Sequence, residues 1–314
     1  MSRLRKCRRN TPEPAHALGD FHSQQKNDRN MKTNIKHIFR LIALALPFWG
    51  LGGSAFAQSD DFGMDFSLDV EKKIRPGMSF SVEGEARTQD NTRKIERWTV
   101  GGTFDMRLFQ NPSKTINVKA SLGWKYMWRY FLPEVNTKYS YSLDGDGNAV
   151  PVYDGYNDKE GYWRGSHRLS ASLSASYKPS KRWEFSLKET FQYTYSRKAN
   201  TMVAKYRLID EDDPDGGTYL KGVDEKQYES KDRSVLRTKA TVQYNIRHCP
   251  VNPYASVDYG CGLNYTTNKW KFTAGTDINL TKQHQLDVFY RYQTEDDDDD
   301  PNGHLIGIGY KLKF

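Results

Sequence analysis

Apolar and polar residues alternate with a period of two along most of the chain. Met78, Phe80 and Val82, for example, alternate with Ser79 and Ser81. Because successive side chains of a β-strand point to opposite faces, this pattern predicts strands with one apolar and one polar face. Ten such strands are predicted, with first residues at positions 78, 97, 115, 164, 182, 234, 253, 269, 285 and 304.

The predicted strands are long. Those in the C-terminal half have nine to thirteen residues, which is the length that a tilted strand needs to cross the hydrocarbon layer of a membrane. Tryptophan and tyrosine lie near strand ends on the apolar face, as in the interfacial girdles of membrane proteins. A soluble sandwich usually has shorter strands. The sequence therefore predicts an all-β fold, a transmembrane antiparallel up-and-down β-barrel of 10–12 strands.

An earlier segment complicates the strand count. Phe66, Leu68 and Val70 form a candidate strand that is joined to the next one by a turn at residues 72–77. Ten strands leave both ends of the barrel in the periplasm, and eleven would be an odd number. The segment is therefore either a partial strand or lumen insert, or a further strand brings the count to twelve.

Short and long connections alternate between the predicted strands. The short turns lie at 110–114, 178–181, 248–252 and 281–284, and the long or acidic connections lie at 131–162, 196–232 and 295–303. Bacterial barrels have short periplasmic turns and longer extracellular loops. The short turns and Phe314 are therefore expected in the periplasm.

The last strand carries a candidate membrane-assembly signal. Tyr310, Leu312 and Phe314 share one face, and Lys311 and Lys313 share the other. This ending resembles the terminal signal of outer-membrane barrels, which end in phenylalanine with a second aromatic residue a few positions earlier. Outer-membrane lipid and the barrel assembly machinery are thus the expected partners. The alternative is a soluble edge strand that happens to end in phenylalanine.

The N-terminal region is typical of an exported protein. Residues 1–30 are basic and polar, and are either an upstream extension or the product of a mis-assigned start. Residues 31–57 combine a positive segment, a short apolar run and a small-x-small cleavage pattern at Ala55 and Ala57. They predict a secretory signal peptide, because the apolar run is too short to span a membrane as a helix. Residues 58–314 then form the barrel, located in the cell outer membrane.

The positive charge of the chain resides mostly in that N-terminal region. The whole chain has 47 basic and 39 acidic residues. Residues 1–57 hold ten of the bases and three of the acids, so 37 bases and 36 acids remain, a net charge of +1. The basic balance therefore gives no reason to expect nucleic acid as a partner. Cys249 and Cys261 are expected too far apart to form a disulfide, and no cofactor is expected.

Charged residues of both signs occupy the polar face of the predicted strands. A barrel of this size has a narrow interior, so long side chains can meet across it. The favoured hypothesis is a non-enzymatic protein with a structural or interaction role, whose lumen is largely plugged by charge pairs. The predicted network comprises Glu83, Glu85, Arg87, Arg97, Asp105, Arg107, Lys119, Lys125, Arg129, Arg168, Glu184, Lys188, Arg237, Lys239, Lys271, Asp277, Asp287 and Arg291.

Two other functions stay open. Bases outnumber acids in the predicted network, which favours a narrow channel for small anionic solutes. A rim-located enzyme that hydrolyses lipid or peptide would need a nucleophile or an activated water together with a base. His167 and His304 are expected near the extracellular rim, where such a composite site could form. Ser166 and His167 are neighbours on a strand and point to opposite faces, which disfavours them as a direct pair.

One connection has part of a calcium-binding pattern. Asp144, Asp146 and Asn148 show the alternating oxygen ligands of a calcium loop. The twelfth position of such a loop should be acidic, and this chain has Gly155 there. A flexible turn is therefore favoured over a metal site. The acidic run at 295–300 is interpreted as a solvated hairpin tip.

The patterning as a whole is similar to a known family. It is carried by the strand at 81–87, by Arg97 and Trp98, by the strand entry at 166–169, by the strand at 236–244 and by the aromatic segment at 289–292. These segments resemble the domain-of-unknown-function 2490 family of Gram-negative outer-membrane β-barrel proteins. The resemblance implies a barrel in the outer membrane. It implies no activity and no catalytic residues.

Overall fold

The structure is a computed structural model that describes residues 61–143, 148–209, 217–264, 268–295 and 303–314. The predictions for residues 1–57, including the cleavage pattern at Ala55 and Ala57, lie outside the described residues, as does most of the acidic run. None of the described residues belongs to a helix that is long and apolar enough to cross a membrane.

The described residues contain fifteen strands, which confirms the all-β prediction. In chain order they are β1 (Asp61–Arg75), β2 (Met78–Gln89), β3 (Lys94–Gln110), β4 (Ile116–Phe131), β5 (Glu134–Leu143), β6 (Ala149–Lys159), β7 (Tyr162–Tyr177), β8 (Trp183–Ser196), β9 (Ala199–Leu208), β10 (Thr218–Tyr228), β11 (Lys231–Tyr244), β12 (Val251–Gly262), β13 (Asn268–Asn279), β14 (His284–Glu295) and β15 (Gly303–Lys313).

Within the described part of the chain, eleven of these strands form a closed barrel. Their order around the wall is β1, β2, β3, β4, β7, β8, β11, β12, β13, β14 and β15, and β15 pairs with β1 to close the ring. The count lies within the predicted range of 10–12. The shortest barrel strand has 11 residues and the longest has 17. At about 3.3 Å per residue, each is long enough to cross the hydrocarbon layer with a tilt.

The closing seam departs from the antiparallel prediction. Ten neighbouring strand pairs are antiparallel, whereas β1 and β15 are parallel. Their register runs without a break from Asp61 opposite Gly303 to Glu71 opposite Lys313. The segment around Phe66 is therefore a complete eleventh strand rather than a partial strand or lumen insert. An odd number of strands can close only if its first and last strands run in the same direction.

The outer face of the barrel is apolar and exposed. Large side chains such as Leu122, Leu169 and Val100 have more than half of their surface uncovered, which in a soluble protein would be unfavourable. Aromatic rings pair near both ends of the strands, for example Trp183 with Tyr244 at a centroid distance of 4.8 Å. Such a surface suits contact with lipid between two interfaces.

The two rims of the barrel differ in the length of their connections. One rim, called here the short-turn rim, carries the connections at 76–77, 111–115, 178–182, 245–250 and 280–283. The C-terminal residue lies at the same rim, where the Phe314 N–H donates to the Glu71 carbonyl at 2.9 Å and the Lys73 N–H donates to the Phe314 carbonyl at 3.0 Å. The opposite rim, the long-loop rim, carries the start of β1 and the connections at 90–93, 132–161, 197–230, 263–267 and 296–302, of which the second and third are by far the longest.

Two connections that were interpreted as loops contain a second sheet. Strands β5, β6, β9 and β10 form a four-stranded sheet in the order β10, β9, β6, β5. Three aromatic rings join it to the long-loop rim: Tyr162 stacks at 5.0 Å on Phe131 and at 5.0 Å on Tyr228. The loop prediction for 131–162 and 196–232 is therefore wrong for these strands. Alternating β-branched and aromatic residues in both segments favour strands over irregular loops.

Glu189 lies on the apolar outer face. It interrupts the apolar face of β8 without a bulge, because the pairing of β8 with β7 and β11 is regular there. Leu173 and Thr238 are its direct neighbours. The Thr238 hydroxyl donates to the Glu189 carboxylate at 3.0 Å, which satisfies part of its hydrogen-bonding capacity.

Candidate functional site

Charged side chains line the inside of the barrel wall. Ion pairs join strands that are not neighbours, such as Lys125 on β4 with Glu83 on β2 at 2.5 Å and Arg291 on β14 with Asp65 on β1 at 3.8 Å. The faces of these strands that point outward carry the apolar residues. Side chains on strands two positions apart therefore meet inside the barrel, above the strand that separates them.

A dense group of ion pairs lies inside the long-loop rim. This long-loop charge cluster consists of Asp65, Glu85, Arg87, Glu96, Arg97 and Arg129. Arg87 contacts Asp65 at 2.9 Å, Glu85 at 3.5 Å and Glu96 at 3.7 Å. Arg87 is only 5% exposed and Asp65 only 6%. Water is therefore largely excluded from the centre of the cluster.

The remaining contacts of the cluster surround this central pair. Arg97 contacts Glu85 at 2.7 Å and Glu96 at 3.8 Å, and Arg129 contacts Glu96 at 3.6 Å. Together the ion pairs connect β1, β2, β3 and β4 across their interior face. A buried charge is stable only when it is paired and hydrogen-bonded, and each arginine of this cluster meets at least one carboxylate.

A β-bulge places two consecutive residues of β3 in the cluster. Arg87 pairs with Arg97 and Thr88 pairs with Ile95, so Glu96 is the extra residue on β3. A bulge interrupts the alternation of faces, and both Glu96 and Arg97 reach the interior as a result. Strict alternation had assigned only Arg97 to that face, and Glu96 was missed.

A glycine lies between the two residues of the Glu83–Lys125 ion pair. Glu83 and Lys125 flank Gly101 in the register. A Cβ atom at Gly101 would lie 2.6 Å from Cγ of Lys125 and 2.5 Å from the Trp124 carbonyl oxygen. Because glycine leaves this space open, the Lys125 ammonium group can reach across β3 to the Glu83 carboxylate.

A mostly basic row of register partners crosses seven strands of the wall. Each member is the direct register partner of the next on the adjacent strand. This basic row consists, from β3 to β13, of Arg107, Lys119, Ser174, Lys188, Lys239, Asp258 and Lys271. It therefore contains five bases and one acid.

The basic row runs obliquely through the barrel. Arg107 lies three residues before the end of β3 at the short-turn rim, and Lys271 lies three residues after the start of β13 at the long-loop rim. Register partners lie perpendicular to the strands, and the strands of a barrel tilt by 35–45° from its axis. The row therefore climbs from one rim toward the other as it passes round the wall.

None of the five bases of the row has an acidic partner among the described residues. No described carboxylate oxygen lies within 4.0 Å of the charged nitrogens of Arg107, Lys119, Lys188, Lys239 or Lys271. The acid of the row, Asp258, is engaged by Arg237 through its Nε at 3.1 Å and through a second, shorter bond from Nη2. The row consequently carries an excess of positive charge.

The other predicted network residues have separate partners. Asp105 accepts from Ser121 at 2.5 Å, Arg168 donates to Thr194 at 3.1 Å, and Arg107 donates to Gln110 at 2.8 Å. Glu184 contacts Lys178 at 2.7 Å, Asp277 accepts from Gln243 at 2.9 Å, and Asp287 accepts from Tyr254 at 3.0 Å. Strict sequence alternation did not identify Asp65, Asp69, Glu71, Glu96, Asp258 and Lys311, although Lys311 contacts Asp69 at 3.0 Å and Glu71 at 2.9 Å.

The histidines expected at the extracellular rim do not meet. His167 on β7 packs against Tyr126 at a centroid distance of 5.0 Å, and His304 on β15 contacts the Tyr290 hydroxyl at 2.5 Å. Both rings lie on the outward parity of their strands, and several strands separate β7 from β15 in either direction around the barrel. The structure therefore does not assemble the composite site.

Metal and disulfide chemistry find no support in the described part of the chain. It contains no group of three or more histidine, cysteine or acidic residues that could hold a metal ion. Asp144 and Asp146 lie outside the described residues, and Asn148 precedes β6. Cys249 and Cys261 are both free thiols.

The candidate assembly signal lies next to the parallel seam. Tyr310 is the register partner of Leu68 and its hydroxyl contacts His284, and Leu312 is the partner of Val70. Phe314 is joined to β1 through its backbone and its side chain is 60% exposed. The three residues therefore form an apolar strip on the outer face that ends at the short-turn rim.

The family model for the protein of unknown function DUF2490 matches residues 62–304. Among solved structures, the beta domain of the Bordetella autotransporter BrkA is 12% identical with a TM-score of 0.41, over 77% of this chain and 86% of that chain. The CymD monoaromatic hydrocarbon channel is 13% identical with a TM-score of 0.33, over 80% and 87%. No curated protein matches the chain. Because the family model spans well over half of its length, the chain belongs to the DUF2490 family of proteins of unknown function.

Proposed function

We propose that this protein is a non-enzymatic outer-membrane barrel whose lumen is closed to ion flow by the long-loop charge cluster. The observation that carries the proposal is the burial of the Arg87–Asp65 pair, with both residues less than a tenth exposed. An interior filled by paired long side chains leaves no continuous path for water. The role of such a barrel is structural, or lies in interactions at its surfaces.

The apolar outer face supports the membrane assignment. A closed barrel leaves none of its strand edges unpaired, as hydrocarbon requires. The proposed orientation places the short-turn rim in the periplasm and the four-stranded sheet outside the cell, because bacterial barrels keep their short turns inside. In this orientation Tyr310, Leu312 and Phe314 present the assembly signal to the barrel assembly machinery from the periplasmic side.

A narrow channel for small anionic solutes is the second candidate function. The basic row favours it, because a predominantly basic lining attracts anions along its length. The two candidates differ at the long-loop rim. A channel has an open path past Arg87 and Asp65, whereas a closed barrel has none.

Single-channel conductance in planar bilayers tests the closed lumen. The full chain, inserted into the bilayer, is expected to give no discrete conductance steps. The double variant Asp65→Ser/Arg87→Ser removes the central pair without changing the net charge, and is expected to produce steps.

The matched control is Lys205→Ser/Asp224→Ser, which removes an ion pair of the four-stranded sheet. It should remain silent. Reproducible, ion-selective steps from the unaltered chain would overturn the closed lumen in favour of the channel. Silence of the Asp65→Ser/Arg87→Ser variant would show that the cluster is not what closes it.

A further inference from the structure

We infer that the basic row is a binding site for a soluble, phosphate-bearing polyanion of the diphosphate type. The inference rests on the proposed function, because a lumen closed at the long-loop rim leaves the row open to solutes from the short-turn rim. It adds a ligand class to a lumen that would otherwise be only structural.

Direct opposition of like charges is the first argument. Lys188 on β8 and Lys239 on β11 are register partners, and so are Arg107 on β3 and Lys119 on β4. Neighbouring strands lie about 4.8 Å apart, and like charges directly opposite each other on a sheet destabilise it. Two such pairs in one row are unfavourable unless a negative charge lies between or above them.

The nearby acids are engaged elsewhere. Asp258 binds Arg237 through two bonds, and Asp105 accepts from Ser121. The charges of Arg291, Lys188 and Arg237 act on Lys239, and the carboxylate of Asp258 opposes them. Asp105 and Asp258 act on Lys188 in the same way. The wall therefore neutralises these ammonium ions only in part, and a ligand that carries several negative charges would complete the neutralisation.

The spacing of the lysines suits a ligand with more than one anionic group. Lys119 and Lys239 are three strand spacings apart, about 14 Å along the wall, with Lys188 between them. Lysine side chains are long and flexible, and their ammonium groups bind phosphate oxygens as point charges. They can converge on a diphosphate, whereas a single chloride ion would meet only one of them closely.

Access from the short-turn rim is open. Arg107, Lys119 and Lys188 are exposed, and they begin the row at that rim. Each barrel strand in the described part of the chain is paired on both sides, so a lipid headgroup has no lateral opening through which to enter. The ligand is therefore a solute rather than a membrane lipid.

Isothermal titration calorimetry of the full chain in detergent, at an ionic strength of about 0.15 M and with inorganic pyrophosphate as the probe, tests the site. The unaltered protein is expected to bind. The double variant Lys188→Gln/Lys239→Gln should weaken binding by roughly tenfold or more, because each lost charge-assisted hydrogen bond weakens binding by about that factor.

The matched control is Lys138→Gln/Lys221→Gln, which removes two exposed lysines from the four-stranded sheet. It should change the affinity by less than about twofold, since distant exposed charges are screened. Equal weakening in both variants would overturn the site in favour of diffuse attraction to a basic surface. Absence of binding to the unaltered protein would also overturn it.

Folding of the variants is checked by thermal unfolding without the probe. Lys188→Gln/Lys239→Gln relieves repulsion and is expected to unfold at the same or a higher temperature. Pyrophosphate should raise the unfolding temperature of the unaltered chain by more than that of this variant. If the unaltered chain gives no conductance steps and does not bind pyrophosphate, the anion site is rejected and the closed lumen is retained. If it conducts and binds pyrophosphate, the closed lumen is rejected and the anion site is retained.

Discussion

In the long-loop charge cluster each arginine has a carboxylate within 4.0 Å, whereas the five bases of the basic row have none among the described residues. The two groups share the interior of one barrel. They differ in burial: Arg87 is almost completely covered, whereas Lys188 is exposed and Lys239 and Lys271 are half-buried. Where water is excluded, a charge must be paired by the protein. Where water enters, solvent can stabilise an unpaired charge until a ligand binds it.

Arg87→Met is expected to have the largest effect on stability. It would leave Asp65 buried without its closest partner, which typically costs about 3–5 kcal/mol of unfolding free energy. Urea unfolding of the full chain in lipid vesicles measures the loss. The double variant Asp65→Asn/Arg87→Met should lose less than Arg87→Met alone, since no uncompensated charge remains. A loss below about 1 kcal/mol for Arg87→Met would show that the cluster is solvated.

Lys125→Met should have an intermediate effect. Glu83 would lose its ion pair, but both side chains are about a quarter to a third exposed, at 27% and 30%. Water can therefore replace part of the interaction, and the expected loss is about 1–2 kcal/mol. The same vesicle unfolding experiment measures it. A loss as large as that of Arg87→Met would remove burial as the reason for the difference between the two regions.

Lys239→Gln should act in the opposite direction. Removal of one of two directly opposed charges is expected to raise the unfolding free energy by about 0.2–1 kcal/mol. The gain should shrink when pyrophosphate is present, because the anion stabilises the unaltered protein through the same lysine. Denaturant unfolding with and without the probe gives both values. If Lys239→Gln lowered the unfolding free energy, Lys239 would have an acidic partner in the folded protein, and the basic row would no longer differ from the cluster.

Glu134→Gln extends the comparison to an exposed pair, with the smallest effect. Lys159 donates to Glu134 at 2.6 Å, and this hydrogen bond lowers the pKa of Glu134 below its ordinary value of 4.5. The stabilisation is therefore present above pH 4.5 and is lost as the pH falls through the lower pKa of the folded state. An exposed pair contributes about 0–1 kcal/mol.

Hydrogen exchange of the β5 and β6 amides measures this small term. At pH 7 the Glu134→Gln variant should exchange roughly twofold faster than the unaltered chain. At pH 3 the difference should decrease. A difference that is independent of pH would assign the effect to packing rather than to the carboxylate.

The barrel itself could be predicted from alternation and loop lengths, but its closure could not. Phe66, Leu68 and Val70 show the period-two pattern of a strand, and that pattern is the same for parallel and antiparallel pairing. The direction of β1 relative to β15 is set by hydrogen bonds between segments more than two hundred residues apart. Nothing in the local sequence records it.

The second sheet was missed although part of its signal was present. Tyr139 and Tyr141 alternate with Ser140 and Ser142 in β5, which is a strand pattern. Long connections of bacterial barrels are predicted to be extracellular loops, and this prediction conflicts with the alternation seen in β5. In physical terms, the large apolar side chains of β5 stay exposed, and pairing of the backbone rather than a core holds β5 and β6 together.

Alternation predicts, for most of the charged residues, that they face the lumen, but it does not predict which residues they contact. Glu96 was lost because a bulge interrupts the period, and Asp65 because β1 was not counted as a full strand. The basic row depends on β4 pairing with β7 and β8 pairing with β11, across insertions that the sequence does not reveal as such. Register between distant strands is a property of the assembled wall.

The parallel seam sets a limit on how this chain could be circularly permuted. In a barrel with an even number of strands, the two chain ends meet at one rim and a short linker can join them. Here β15 ends and β1 begins at opposite rims. A connecting segment would have to span the full hydrocarbon depth of about 30 Å, either through lipid or through the charged interior. The order of the strands along the chain is therefore tied to the orientation of the barrel in its membrane. A circular permutant cannot be made by joining the two ends of the barrel with a short linker.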